Sequence, residues 1–181
     1  MKNQTNTSIW ADLAQDVTLK LGDRFSAEWQ AYLGRRWRRL PDAWEVKMPD
    51  EYFPELLRQF GLQNCRSVGS PWSHEVCQVA DTMPLSEVET TLYRSGTGKV
   101  AWSVFCRPEL AWSAKDLAKH MQSPNHFHMQ RLKRVLRFIS GSLNAVLRLT
   151  YDGTSLDCVK GISDSDWGTL EDPRSTSGGL N

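Results

Sequence analysis

The stretch "SPNHFHMQRLKRVLRFISGS", residues 123–142, constrains the fold more than any other part of the chain. Met129, Leu132, Val135, Leu136 and Ile139 fall within one arc of a helix, with Leu143 on its continuation. Arg131, Lys133, Arg134 and Arg137 fall on the opposite arc. Ser123 and Pro124 predict the N-cap and the first-turn proline, and Gly141 predicts the end. A helix with so complete an apolar stripe must pack it against neighbours, so the chain is expected to build a globular core around it. The opposite arc carries a second message. Between Asp116 and Asp152 there is no acidic residue against six Lys or Arg. A solvated helix would mix the signs, whereas an unmixed cationic face suits phosphates.

Other helices are signalled along the chain. Ile9, Leu13, Val17 and Leu21 recur every four residues between Ser8 and Gly22, predicting a helix over 8–21. "PDEYFPELLRQFG" predicts another that stops at Gly61. Ser86 with Glu89 forms a capping box ahead of a third, and Pro108 opens a fourth through "PELAWSAKDLAKHMQ". Strand-like runs flank Pro41-Asp42 and predict a hairpin over 29–48. "AVLRLTY" and "DCVKGIS" predict two more strands around an Asp152-Gly153 turn. The expectation is an α+β fold, mostly helical, with about five helices. At 181 residues it suits one domain, or one small domain with part of another. The Ser-, Pro- and Gly-rich residues 63–84 read as the internal boundary.

Several motifs invite chemistry. "GTGK", residues 96–99, lacks the earlier Gly and the following Ser or Thr of a phosphate loop, so it reads as helix. His120, His126 and His128 fit no zinc spacing and read as surface or capping histidines. Arg35, Arg36, Arg38 and Arg39 surround Trp37; alternation sends Arg36 and Arg38 to one face and the others to the opposite one. Such a strand suits a sugar–phosphate backbone or an ion-paired sheet. Residues 152–172 reverse the sign, with six acids and one Lys. Asp164 and Asp166 lie two apart in an extended segment, so both would face one way, as paired carboxylates do around magnesium. An Asx turn at a strand end is the plainer reading of the same pair.

Composition and targeting signals narrow the rest. The net charge of +1 says nothing about partners. Cys65, Cys77, Cys106 and Cys158 are scattered without a Cys-x-x-Cys pair and read as reduced thiols. The polar N-terminus and the lack of a long apolar run predict a soluble intracellular protein with no membrane partner.

"LYRSGTGKVAWSVFCRPELAWSAKDLAKHMQSPNHFHMQRLKRVLRFISGS", followed by "ISDSDWGTLEDPRSTSGG", resembles the Pol polyprotein of copia-type LTR retrotransposons. The telling pieces are the Arg-Pro-acidic-aliphatic step at Arg107–Leu110, the "LKRVLRFISG" helix, and Ser-Asp-x-Asp-Trp-Gly before Arg-Ser-Thr-Ser-Gly. The resemblance implies the end of reverse transcriptase with a primer-grip-like hairpin over 1–62, where Tyr32, Leu33 and Gly34 would steady the primer. It implies a linker over 63–84, a helical thumb or connection over 85–150, and a truncated start of ribonuclease H over 151–181. Asp164 would be the first ribonuclease H carboxylate and Asp166 its neighbour, holding Mg2+ in the complete parent enzyme, with no tight metal expected on this chain alone. Implied partners are an RNA–DNA hybrid or template–primer, gripped by Tyr32–Gly34, Arg36, Arg38, Arg131, Lys133, Arg134 and Arg137, and the remainder of Pol.

The departures matter equally. No adjacent Asp-Asp occurs in the chain, so the polymerase metal loop is missing, and the later ribonuclease H carboxylates are missing too. A Pol fragment inactive by itself is the expectation, and residues 160–181 should be poorly ordered because a first strand without partners leaves its backbone groups unpaired. The alternative is a non-enzymatic nucleic-acid-binding or interaction protein derived from such an element. A stand-alone metal nuclease would need a carboxylate cluster that the sequence does not offer.

Overall fold

A computed structural model describes residues 25–73 and 82–150, and the backbone of strands 162–166 and 176–180. The expected helix over 8–21 and the Asp152-Gly153 turn lie outside the described residues. The chain divides into two compact units, Met1–Leu149 and Thr150–Asn181.

Among the described residues, the larger unit opens on a three-strand meander: β1 (Gln30–Tyr32), β2 (Arg35–Arg39) and β3 (Ala43–Lys47). Its antiparallel register sets Tyr32 opposite Arg35 and Trp37 opposite Val46. The Pro41-Asp42 turn closes with the Leu40 N–H donating to the Ala43 carbonyl at 2.8 Å. Residues 29–48 therefore form the expected hairpin and one further strand ahead of it. β4 (Leu147–Thr150) completes a sheet in the order β1-β2-β3-β4.

Four helices follow the local grammar closely. α1 (Tyr52–Gln59) ends at Gly61, whose φ of +66° is open to glycine without penalty. Leu62 N–H bonds back to Leu57 O at 2.9 Å and Gly61 N–H to Arg58 O at 3.1 Å, the two bonds of a Schellman motif. α2 (Glu87–Ser103) starts in the expected capping box: Ser86 Oγ accepts from Glu89 N–H, and Ser86 N–H donates to the Glu89 carboxylate. Those bonds hold the Glu89 carboxyl below its usual range. A short 3-10 turn, Pro108–Leu110, leads into α3 (Ala111–Lys119).

α4 (His126–Ser140) ends at Gly141 as expected but departs from expectation at its start. Its N-cap is Asn125 rather than Ser123. Pro124 and Asn125 are held extended against the segment before α2, with Leu85 N–H donating to Pro124 O and a bridge between Pro84 and Asn125. Helical geometry can begin only after that bridge. Asn125 Oδ1 then accepts from His128 N–H at 3.0 Å while His128 Nδ1 accepts from Asn125 N–H at 3.1 Å. The helix ends at Ser140, so Leu143 falls beyond the stripe and is exposed.

The remaining stripe residues, Met129, Leu132, Val135, Leu136 and Ile139, are all buried. They meet Leu56 of α1, Tyr93 and Val100 of α2, and Leu117 of α3 in one core. The glycine motif finds its reason here. Gly96 lies inside α2, where a Cβ would stand 2.5 Å from Phe60 Cζ and 3.0 Å from Leu132 Cδ2. It allows α2 to pass close to both, so GTGK is a packing feature in a helix. Residues 96–99 are helical, as the sequence reading expects.

In the smaller unit β5 (Ile162–Asp166) runs antiparallel to β6 (Thr176–Leu180), with Asp164 opposite Gly178 and Asp166 opposite Thr176. This corrects the expectation of an unpartnered strand at 162: the chain supplies its own pairing segment after the turn-rich residues. β5 pairs with β6, and β4 joins the sheet of the larger unit.

The two motif glycines should respond oppositely to the same change. Gly96→Ala should lower unfolding free energy by about 1–3 kcal/mol through overpacking. Gly98, with nothing within 4 Å of its virtual Cβ, should gain up to about 1 kcal/mol as Ala. Urea unfolding midpoints check both, and a shift of the same sign at the two positions would contradict the packing.

Candidate nucleic-acid interface

The β1–β2 connection is two residues long, and both have positive φ: Leu33 at +48° and Gly34 at +71°. That is the pattern of a type I′ turn, whose twist matches the strands it joins. Leucine in this region costs on the order of 1 kcal/mol. What holds it there is Arg35. Its guanidinium lies 4.3 Å from the Trp102 ring centroid and 5.0 Å from that of Phe105. It donates to Leu33 O at 3.4 Å and Trp102 O at 3.2 Å. Gly34 rests against the Trp102 indole, where a Cβ would stand 3.6 Å from it. The tip is thus braced on the end of α2 while Tyr32 and Leu33 point outward, 53% and 68% exposed.

Arg36 and Arg38 share the opposite side of the sheet, as alternation requires. Arg38 pairs with Glu45 at 2.6 Å and lies over the Trp29 ring. Glu45 is itself buried and also meets Arg148, which reaches Asp42 at 3.0 Å. Lys47 pairs with Asp50 and holds its carboxyl below the usual range. Arg36 makes no ion pair among the described residues. So this side is an ion-paired sheet, with Arg36 near enough to Asp50 to help lower its carboxyl.

The four cations of α4 do not form one uniform face. Arg131 pairs with Asp116 at 2.9 Å and stacks between Trp72, at 4.0 Å, and Phe127, at 4.6 Å. Arg137 donates to Arg66 O at 3.0 Å. The expectation that no acid lies near them is therefore corrected: Asp116, at the edge of the acid-free stretch, is brought over by α3. The loop after α1 also runs along α4. Cys65 Sγ meets Ser140 Oγ, Ser67 lies against Gly141, and Trp72 reaches Arg131 near the other end. Arg134 is half-buried with its own contacts, and Lys133 is exposed. The sequence could not show this, because the covering loop is remote in the chain and its register on the helix is a matter of packing.

Asp164 and Asp166 are alternate residues of β5. Among the described residues no group of three or more metal-ligating side chains converges. His128 caps α4 and stacks on His120 with ring centroids 3.8 Å apart, while His126 opens the helix. Cys65 and Cys106 are free thiols. No helix among the described residues is long and apolar enough to cross a membrane. Sequence reasoning missed Trp102, Phe105 and Trp72; their signal was only an unusual tryptophan count of eight.

The homologues of this chain are retrovirus-related Pol polyproteins of transposons, matched over most of its length at modest identity. The Pol polyprotein from transposon RE1 of Arabidopsis thaliana is 28% identical over 165 residues, 87% of this chain and 11% of that protein. The Pol polyprotein from transposon RE2 of the same plant is 27% identical, again over 87% of this chain and 11% of its own. The chain thus spans about a tenth of the length of these relatives. The secreted RxLR effector protein 161 of Plasmopara viticola is 39% identical over 90 residues, 49% of this chain and 62% of that one. No protein-family model and no solved structure matches.

The histidine pair makes the larger unit sensitive to acid. Burial, then the neighbouring His120 and Arg131, push His128 from 6.5 down to about 4. Burial also lowers His120, against the pull of Asp116. Because His128 stays neutral in the fold after the unfolded chain has taken its proton, stability should fall as pH drops from about 6.5 toward 4. His128→Gln keeps an N3 acceptor for the capping box and removes that titration. Its melting temperature should fall less than that of the parent between about pH 7 and pH 5. Parallel profiles would show that the pair does not couple to folding.

Proposed function

Taking descent from transposon Pol polyproteins as the premise, we propose that the chain is a piece of a reverse transcriptase–ribonuclease H and serves as template–primer grip rather than as catalyst. The carrying observation is the hairpin tip: Tyr32 and Leu33 are exposed, Leu33 is held in a costly backbone conformation, and the tip is braced through Arg35 onto α2. A preorganised tip gains contact with a nucleic-acid end at small entropic cost. Arg36 beside the tip and Lys133 on α4 are the cations best placed to take phosphates, while Arg38, Arg131 and Arg137 chiefly hold the fold. Catalytic metals would need carboxylates from beyond this chain. The polymerase pair is missing, and Asp164 with Asp166 offers only part of a magnesium site for hybrid cleavage, the reaction in which such an ion activates water.

A second reading, a binding or interaction module working outside Pol, is favoured by the match to a secreted effector protein across 49% of this chain. Binding to an RNA–DNA hybrid separates the two. Fluorescence anisotropy at several salt concentrations should show sequence-tolerant binding that weakens steeply with salt. Arg36→Ala with Lys133→Ala should flatten the log–log slope by roughly one to two units, at about 0.9 per phosphate on duplex DNA. Unchanged slope and affinity would remove both cations from the grip, and no hybrid binding at all would favour the interaction module.

A further inference from the structure

A column of stacked groups runs from the core to the surface where α3 meets α4. Phe127, buried in the first turn of α4, lies 4.6 Å from the Arg131 guanidinium, which in turn lies 4.0 Å from the centre of the Trp72 ring. Trp72 meets Trp112 of α3 with ring centroids 4.0 Å apart and planes at 77°. Asp116, one turn beyond Trp112 on α3, fixes the column by pairing with Arg131 at 2.9 Å. The outermost member, Trp112, is 52% exposed. An edge-to-face contact takes at most one face of a ring, so Trp112 keeps a face clear of Trp72.

Charge identifies the occupant. Lys115 and Lys119 follow Trp112 along α3, about 4.5 and 10.5 Å further on at 1.5 Å per residue. Steps of three and seven residues keep both near the Trp112 stripe of the helix, and both are exposed. Among the described residues neither makes an ion pair, and the adjacent carboxylate of Asp116 is turned onto Arg131. Protein interfaces favour tryptophan but are poor in lysine, whereas a ring with cations beside it matches the base and phosphates of a nucleic-acid strand. Bases already stacked in a duplex cannot use such a ring, and unpaired bases can. The column also fixes the ring: Trp112 rests on Trp72, which Arg131 and Asp116 hold in turn, so a base meets a partner already in place.

We propose that Trp112 is a stacking site for an unpaired nucleic-acid base, with Lys115 and Lys119 taking phosphates of the same strand. Arg131 acts through the column as a positioning residue rather than as a phosphate ligand. The inference rests on the nucleic-acid reading above and adds to it a single-strand site on α3, separate from the hairpin tip, Arg36 and Lys133.

Anisotropy of a labelled short oligothymidylate with the full chain tests it, beside an abasic strand of equal length and a blunt RNA–DNA hybrid. The thymidylate should bind more tightly than the abasic strand. Trp112→Ala should weaken it roughly 5- to 100-fold, while Trp112→Phe, which keeps a ring, should lose much less. Neither change should alter hybrid binding. Lys115→Ala with Lys119→Ala should weaken both single strands alike and flatten their log–log salt slope by roughly 1.4 units, at about 0.7 per phosphate on a single strand. Circular dichroism checks folding, and the exposed lysine pair keeps the test open if Trp112→Ala is unstable. Equal binding of thymidylate and abasic strands, or unchanged thymidylate affinity in Trp112→Ala, overturns the site but leaves the hybrid grip standing. Thymidylate binding that depends on Trp112, in a chain that binds no hybrid, supports the site and overturns the hybrid grip instead. Hybrid binding lost together with thymidylate binding in Trp112→Ala would make Trp112 part of the grip and overturn a separate site. Self-association lost in Trp112→Ala, without any single-strand binding, would assign the surface to a second copy and overturn the proposal.

Discussion

Arg107, just past the end of α2, is buried at 2% exposure, and much of the helical packing is organised around it. It donates to Ser142 O at 3.0 Å and Ser142 Oγ at 2.8 Å, pairs with Glu109, and lies over the Phe53 ring. One side chain thereby ties the α2–α3 connection to the turn after α4 and to the first turn of α1. A guanidinium removed from water is tolerated only when its donors are satisfied, so this geometry is demanding. The Arg-Pro step belongs to the same device: Pro108 starts the 3-10 turn that brings the Glu109 carboxylate back onto Arg107.

With α2 and α4 fixed in this way, the loop after α1 acquires a course. It lies along α4 because Gly141 leaves room for Ser67 and because Arg137 and Arg131 offer a donor and a stacking cation at two points on the helix. The cations therefore serve the fold as much as any ligand. An Arg that stacks on Trp72 and pairs with Asp116 has little left to offer a phosphate. At the sheet, Arg35 sets the hairpin tip, and Trp102 with the following Phe105 stands partly in solvent.

The two sides of that sheet divide the labour. One neutralises its charges internally, around buried Glu45, and anchors β4 through Arg148. The other carries Arg35, Arg39, Trp37 and Trp44 and sets Val46 into the core. Four arginines within five residues look uniform in the sequence. A strand separates them by alternation, and the neighbouring strand decides which have carboxylates opposite.

The sequence by itself determined the elements whose signals are local. The Ser86–Glu89 box, the Gly61 stop, the Pro41-Asp42 turn and the buried stripe of α4 each rest on bonds or periodicity within a few residues. It also carried the likeness to transposon Pol, since motif order survives in linear form. Tertiary structure decided the rest. Only packing could place Asp116 on Arg131, lay residues 65–72 along α4, move the helix cap to Asn125, or pair β5 with β6. These depend on which distant backbone approaches which side chain. A periodicity shows that a face exists, and only the assembled neighbours determine what covers it.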